Sequence, residues 1–157
     1  MKPPFSFEKD EIVLRPADSQ DFDFLFSLHT LTFGTYVEQT WGRWDDAEQL
    51  NRFRKDLDRS YRRIIVLRGE DIGCIWTEDQ GSFIFVDYIA ILPEYQRRGL
   101  GTKLVQQVLA QADERGIPVC LNVLKVNPAR SLYERLGFRV VGGDEHRHYM
   151  ERTAGRD

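Results

Sequence analysis

The sequence predicts a mixed α/β fold, one sheet flanked by helices. Three observations carry that expectation. Short runs rich in Ile, Val, Leu and Phe recur along the chain as strands. Between them lie segments in which apolar residues return every three or four positions, the period of a helix. Glycine or proline stands at most of the joints.

Taken in order, Ile12-Val13-Leu14-Arg15-Pro16 reads as a first strand ended by proline. Asp18 or Ser19 then caps a helix on which Phe22, Leu25, Phe26, Leu28 and Leu31 share one face. Beyond Gly34 the polar-aromatic segment Thr35-Tyr36-Val37-Glu38-Gln39-Thr40-Trp41-Gly42-Arg43-Trp44-Asp45 reads as a connection. Asp45 or Asp46 starts a second helix with Leu50, Phe53 and Leu57 on one face. Residues 64–67, 72–77 and 83 onward read as strands, parted by the turn residues Gly69-Glu70-Asp71 and Asp79-Gln80-Gly81-Ser82. A helix opening near Gly99 carries Leu104, Val105, Val108, Leu109 and Ala112 on one face and stops at Gly116. A buried strand at 119–124, a short helix at 128–136 and a closing strand pair, 138–141 and 145–151 around Gly142-Gly143, complete the chain.

At 157 residues, the chain suits one well-formed core and is too short for two ordinary domains, so residues 1–157 are read as a single domain. A net charge of −3 excludes general attraction to nucleic acid or to an acidic membrane. No apolar run approaches a membrane span, and Met1-Lys2-Pro3-Pro4-Phe5 lacks a signal-peptide core, so a cytoplasmic location is expected. Cys74 and Cys120 sit in strands with no pairing or ligand spacing around them and are expected to be buried, reduced thiols. His29, His146 and His148 lack a zinc spacing, so no metal is expected.

The most informative segment is Gln96-Arg97-Arg98-Gly99-Leu100-Gly101-Thr102, which follows an apolar run and opens a helix. Two glycines let the backbone approach a ligand closely, and the first amides of a helix lack partners within it and carry partial positive charge. That order of strand, glycine turn and helix is built to hold a phosphate. Neither the dinucleotide pattern Gly-x-Gly-x-x-Gly nor the triphosphate loop Gly-x-x-x-x-Gly-Lys-Ser/Thr occurs.

The Gln-x-x-Gly-x-Gly spacing, preceded by Ile91-Leu92-Pro93-Glu94-Tyr95, resembles the pyrophosphate signature of the Gcn5-related N-acetyltransferase (GNAT) family. Asn127-Pro128-Ala129-Arg130-Ser131-Leu132-Tyr133-Glu134-Arg135-Leu136-Gly137-Phe138 is similar to the family's second hallmark. The resemblance covers residues 11 to 151 and implies a single N-acetyltransferase domain with a mostly antiparallel sheet and a splayed strand pair at the cofactor cleft. It implies an acetyl-CoA-dependent transfer of an acetyl group to a primary amine of a small molecule or peptide, through a ternary complex and without a metal. Backbone groups of Ile89, Ala90 and Ile91 would bind the pantetheine arm. Amides of Arg97, Arg98, Gly99, Leu100, Gly101 and Thr102 would hold the pyrophosphate, while Arg97, Arg98 or Lys103 would reach the 3′-phosphate. Asn127 would contact the arm, and the Tyr133 hydroxyl would protonate the departing thiolate. Family members often dimerise through terminal strands.

A family glutamate on the strand after the long helix is replaced here by Leu121-Asn122-Val123, which leaves the general base open among Asp87, Glu38 and a water relay. The acceptor is expected at Tyr36, Glu38, Trp41, Trp44 and Asp45, where aromatic faces and carboxylates suit a cationic amine, with His148 facing the same cavity. The alternative is a non-catalytic module that binds acyl-CoA for regulation. A generic nucleotide-binding domain is disfavoured by the missing phosphate-loop lysine.

Overall fold

The structure is a computed structural model that describes residues 12–56 and 62–155. Leu57, expected on the second helix's apolar face, lies outside the described residues, as does the N-terminal segment read for a signal. The strands are β1 (Ile12–Pro16), β2 (Arg62–Leu67), β3 (Glu70–Asp79), β4 (Ile84–Ile91), β5 (Val119–Leu124), β6 (Arg139–Gly143) and β7 (Arg147–Arg152). The helices are α1 (Phe22–Trp41), α2 (Asp46–Asp56), α3 (Leu100–Arg115) and α4 (Ala129–Arg135). The sheet runs β1-β2-β3-β4-β5-β7-β6. Pairs β1–β2, β2–β3, β5–β7 and β6–β7 are antiparallel, and β4–β5 is parallel, as the crossover through α3 requires. The β4–β5 ladder pairs Ile84–Val86 with Val119–Leu121.

Two compact units divide the chain, Met1–Trp76 with Tyr88–Leu100 and Thr77–Asp87 with Gly101–Asp157. In the first, Leu25 and Leu28 of α1 and Phe53 of α2 pack with Ile64, Cys74, Trp76 and Ala90 from three strands. In the second, Leu104, Val105, Val108, Leu109 and Ala112 of α3 are buried, as are Val119, Leu121 and Val123 of β5, Phe138 and Met150. Asp113 of α3 accepts from Arg152 of β7 at 2.5 Å, and Arg115 at the helix's last turn pairs with Asp79 at 2.6 Å.

Four expectations are corrected. The first helix does not end near Gly34; it runs to Trp41 and stops at Gly42, whose φ of +85° takes the left-handed cap and whose N–H donates to Glu38 O at 2.7 Å. A mid-helix glycine costs only about 1 kcal/mol relative to alanine, too little to break a helix packed along its length. Leu31, placed on the apolar face, is 62% exposed. The closing turn is not Gly142-Gly143, which belong to β6, but the segment after them, where Asp144 accepts the His146 and Arg147 N–H groups at 2.8 and 2.7 Å. Among the thiols, Cys74 is buried as expected, whereas Cys120 is half-buried.

Asp18 caps the turn Ser19–Asp21 that leads into α1, and Asp21 returns the bond to the Asp18 N–H at 2.9 Å. Arg15 of β1 grips Asp21 through both terminal nitrogens, at 3.0 and 2.7 Å, and reaches Asp71 of β3 at 2.9 Å. The Arg15 hydrogen bonds hold the Asp21 carboxyl below the usual carboxylate range against an opposing effect of burial. The native state therefore binds that proton less readily than the unfolded chain. The stability this confers is complete above about pH 5 and is lost as pH falls through the native value. Asp21→Asn should lower stability at pH 7 by about 1–3 kcal/mol and flatten the acid limb of the profile, read by urea denaturation from pH 7 to 3. Gly73→Ala should cost about 1–3 kcal/mol in the same assay, because its Cβ would lie 2.3 Å from the Ala90 carbonyl oxygen.

Candidate active site

Strand β4 leads through the single turn Pro93–Tyr95 into the glycine segment and α3. Gln96 is extended, with φ −74° and ψ 162°. Arg97 and Gly99 then take left-handed conformations, with φ of 63° and 80°. For glycine this is free, but for arginine it costs about 1–2 kcal/mol, strain of the kind that persists where surrounding contacts over-determine a turn. Those contacts are present. Gln96 Nε2 donates to Ile91 O at 2.8 Å, the Leu92 N–H donates to Ile72 O at 2.8 Å, and the Tyr95 hydroxyl donates to Glu70 Oε2 at 2.7 Å. The Arg98 guanidinium lies over the Tyr95 ring, 5.4 Å from its centroid. The turn thus delivers its exposed residues, Gln96 through Gly99, to the N-terminus of a 16-residue helix whose first turn carries no acid. This is the electrostatics of an anion site.

The backbone of residues 89–91, expected to bind the arm, already has hydrogen-bond partners of its own. Ile91 O already accepts from Gln96, and an Ala90 backbone hydrogen bond reaches Cys74, whose thiol burial pushes well up. The burial alternation of β4 breaks at Tyr88 and Ile89, both half-buried. Asp87, one of the general-base candidates, is exposed, whereas Ile91 of the same strand is buried.

The expected acceptor residues fall on α1, on the junction that follows it and, for His148, on β7. Tyr36, Glu38 and Trp41 belong to the last turns of α1 rather than to a connection, and Trp44 and Asp45 form the junction with α2. Asp45 caps α2, accepting the Glu48 N–H at 3.0 Å. The Trp44 indole donates to Asp46 Oδ1 at 2.5 Å and its ring packs on Phe26 and His29. Tyr36 lies edge-on to Phe33. A cavity of about 190 Å³ opens at this junction, lined by Val37, Trp41, Asp45 and Gln49 with Arg43, Glu48 and Arg52. Trp41 and Asp45 line it, whereas Tyr36, Glu38 and Trp44 do not. Arg43 pairs loosely with Asp45 and Glu48, at 3.7 and 3.9 Å, so the carboxylates there are partly compensated.

In the second unit the Asn127 side chain accepts the Ala129 N–H at 2.9 Å at the entry to α4, whose cap position is Pro128. Tyr133 is 7% exposed, edge-on to Phe138 at 5.7 Å, and no described residue hydrogen-bonds its hydroxyl. Burial pushes its pKa up to about 12, which keeps the phenol protonated and able to give a proton. His148 Nε2 accepts from Arg130 NH1 of α4 at 3.1 Å. Asn122, at the position lacking the family acid, is exposed on β5 opposite Tyr149.

Sequence reasoning missed the supports of this geometry: the Gln96 side chain, the Tyr95–Glu70 bond, the close approach at Gly73, and a histidine–tyrosine pair, His29 and Tyr88. Gln96 alone carried a signal, as the first residue of the Gln-x-x-Gly-x-Gly spacing. Among the described residues no group of acidic, histidine or cysteine side chains could hold a metal ion, and no helix is long and apolar enough to cross a membrane.

Known proteins bear directly on this arrangement. The [ribosomal protein bS18]-alanine N-acetyltransferase of Haemophilus influenzae is 40% identical over 68 residues, 43% of this chain and 45% of that protein. The chain thus spans under half the length of the curated relative it matches. The crystal structure of PaiA N-acetyltransferase from Thermoplasma acidophilum in complex with coenzyme A superposes with a TM-score of 0.64 at 18% identity, covering 90% of this chain and 98% of that one. The ribosomal-protein-S18-alanine N-acetyltransferase from Escherichia coli does so with 0.66 at 19%, covering 93% and 96%. At such identities the likeness is one of fold, and it bears out the expected sheet architecture. The family model for acetyltransferase (GNAT) domains matches residues 60–140, just over half the chain and the whole run from β2 through the glycine turn, α3, β5 and α4; this chain belongs to the GNAT family.

Proposed function

We propose that this chain is an acetyl-CoA-dependent N-acetyltransferase in which residues 1–157 act as one acetyltransferase domain, and that its acceptor is a primary amine. The N-terminal amine of a polypeptide is the favoured acceptor, because the relative that matches at 40% identity acts on an alanine of a ribosomal protein. One observation carries the reading: the left-handed residues Arg97 and Gly99, held to the end of β4 by Gln96, present a helix N-terminus without acids.

Each residue's part follows from its chemistry. Amides of Arg97 through Thr102 take the pyrophosphate oxygens, with Arg97, Arg98 or Lys103 at the 3′-phosphate. Backbone groups of Ile89, Ala90 and Ile91 and the side chain of Asn127 take the pantetheine arm, a polar chain laid along a sheet edge. The amine nitrogen attacks the thioester carbonyl carbon, the carbonyl electrons collect on oxygen, and their return breaks the carbon–sulfur bond. The proton for the departing sulfur comes from the Tyr133 hydroxyl, and the amine's own proton leaves through water towards Glu38 or Asp87, both exposed. Trp41 and Asp45, with Tyr36, Glu38 and Trp44 close to them in the chain, shape the acceptor side, and His148 is assigned to the same role. The reading also takes the protein as cytoplasmic and acting without nucleic acid or membrane, and family habit supports a homodimer through terminal strands.

Calorimetric titration with acetyl-CoA should give micromolar-range binding where ATP gives none, and Gly101→Glu should abolish it by bulk and charge repulsion. Unchanged affinity in that variant would remove the phosphate-turn assignment, and tight binding without turnover on any amine would favour the regulatory reading. Tyr133→Phe should lower kcat by about 10²–10⁴-fold while acetyl-CoA affinity stays within about twofold. With a phenol near pKa 12, wild-type kcat should rise as the amine deprotonates and show no alkaline decline below about pH 10. A fall there in the stopped-flow profile would assign the proton to another group.

A further inference from the structure

The interior between α1, α2 and β4 is aromatic, yet it holds one polar chain. His29 of α1 lies nearly parallel to Phe53 at 5.2 Å and to Phe33 at 5.7 Å, with Trp44 at 5.6 Å. Its Nδ1 is 2.7 Å from the Tyr88 hydroxyl of β4, and its Nε2 is 3.4 Å from Gln49 Oε1 of α2. Tyr88 is itself stacked on Trp76, with centroids 4.4 Å apart. Burial lowers the imidazole's pKa and raises that of the phenol, so both are neutral. A neutral imidazole has one donor and one acceptor. Gln49 Oε1 can only accept, which puts the proton on Nε2 and leaves Nδ1 to receive the Tyr88 O–H. The chain therefore runs one way, from Tyr88 through His29 to Gln49.

Phenylalanine at 29 and 88 would fill the same space with no polar group to satisfy. What the polar pair adds is a fixed relation among three elements, since a buried hydrogen bond tolerates little sliding where apolar rings tolerate more. Those elements are the ones that matter to the proposed reaction. Gln49 lines the cavity at the α1–α2 junction, and Tyr88 immediately precedes Ile89, Ala90 and Ile91. We propose that the Gln49–His29–Tyr88 chain is a positioning device that ties the wall of the α1–α2 cavity to the strand backbone which receives the thioester arm, with His29 as its central positioning residue. The assignment of that backbone to the arm rests on the proposed acetyltransferase function; the mechanical link itself does not.

The test separates the two. His29→Phe and Tyr88→Phe keep the rings and remove the bond between Nδ1 and the hydroxyl. In the free protein, amide hydrogen exchange at residues 88–91 should quicken by about tenfold in each variant, the worth of one buried hydrogen bond, while β2 is unchanged. Acetyl-CoA affinity should fall by about tenfold, whereas adenosine 3′,5′-bisphosphate, which lacks the arm, should bind within about twofold of wild type. The double variant should be no worse than His29→Phe alone, because that single change already removes the bond that Tyr88→Phe removes. His29→Asn, whose Oδ1 stands in for Nδ1 as acceptor, should recover most of the loss. Unchanged exchange at 88–91 would overturn the device, and an equal loss for both ligands would reduce it to general packing. Failure of the wild type to bind acetyl-CoA would overturn the proposed function instead, and the exchange data would still decide the link.

Discussion

Strand β3 runs so close to the end of β4 that no side chain fits at Gly73, where a Cβ would stand 2.3 Å from Ala90 O and 3.0 Å from Ile91 Cα. Much of the candidate site depends on that approach. The residues beside Gly73 use it to hold the turn beyond β4: Ile72 O takes the Leu92 N–H, and Glu70 takes the Tyr95 hydroxyl. Gln96 then bonds back to Ile91. The segment that opens α3 is thereby aimed by the sheet and not by the helix it begins. An anion site made of backbone amides gains little from flexible donors, and three anchors within seven residues give it the preorganisation that binding needs.

Charge is used differently at the periphery. Arg15, Arg115 and Arg152 each join the end of one element to another through a carboxylate, at Asp21 with Asp71, at Asp79 and at Asp113. Exposed pairs of this kind add little stability singly, so the Arg115–Asp79 pair serves mainly to register the end of α3. Arg15 is the exception, because Asp21 is buried and also closes the capping box at the entry to α1.

Inside the molecule the reactive groups are kept neutral. Burial holds the Tyr133 and Tyr88 phenols protonated and His29 uncharged. For a reaction in which an uncharged amine attacks and a thiolate must gain a proton, a protonated phenol in apolar surroundings is the apt donor. The carboxylates proposed for the opposite task, Asp87 and Glu38, are exposed, so in the proposed reaction solvent would share the removal of the amine's proton.

The strands, three of the four helix extents and the two motifs were legible in the sequence, because each is written in local terms: a period of 2 or 3.6, a cap, a glycine stop. Gly116 ending α3 is such a local fact, and it holds. Gly34 misled because the same residue can end a helix or be carried within one, and only the packing of α1 and the left-handed Gly42 decide which. Tyr36, Glu38 and Trp41 moved with it from a loop to a helix, and only two of the six acceptor-side residues line the cavity found there. The sequence by itself determined the family, the glycine turn that opens α3 and the order of the two motifs, since these rest on residue type and spacing along a few consecutive positions. The tertiary structure alone decided the close approach at Gly73, the bond from Gln96 to Ile91 and the meeting of His29, Gln49 and Tyr88, since groups far apart in the chain become neighbours only when burying apolar surface brings their elements together.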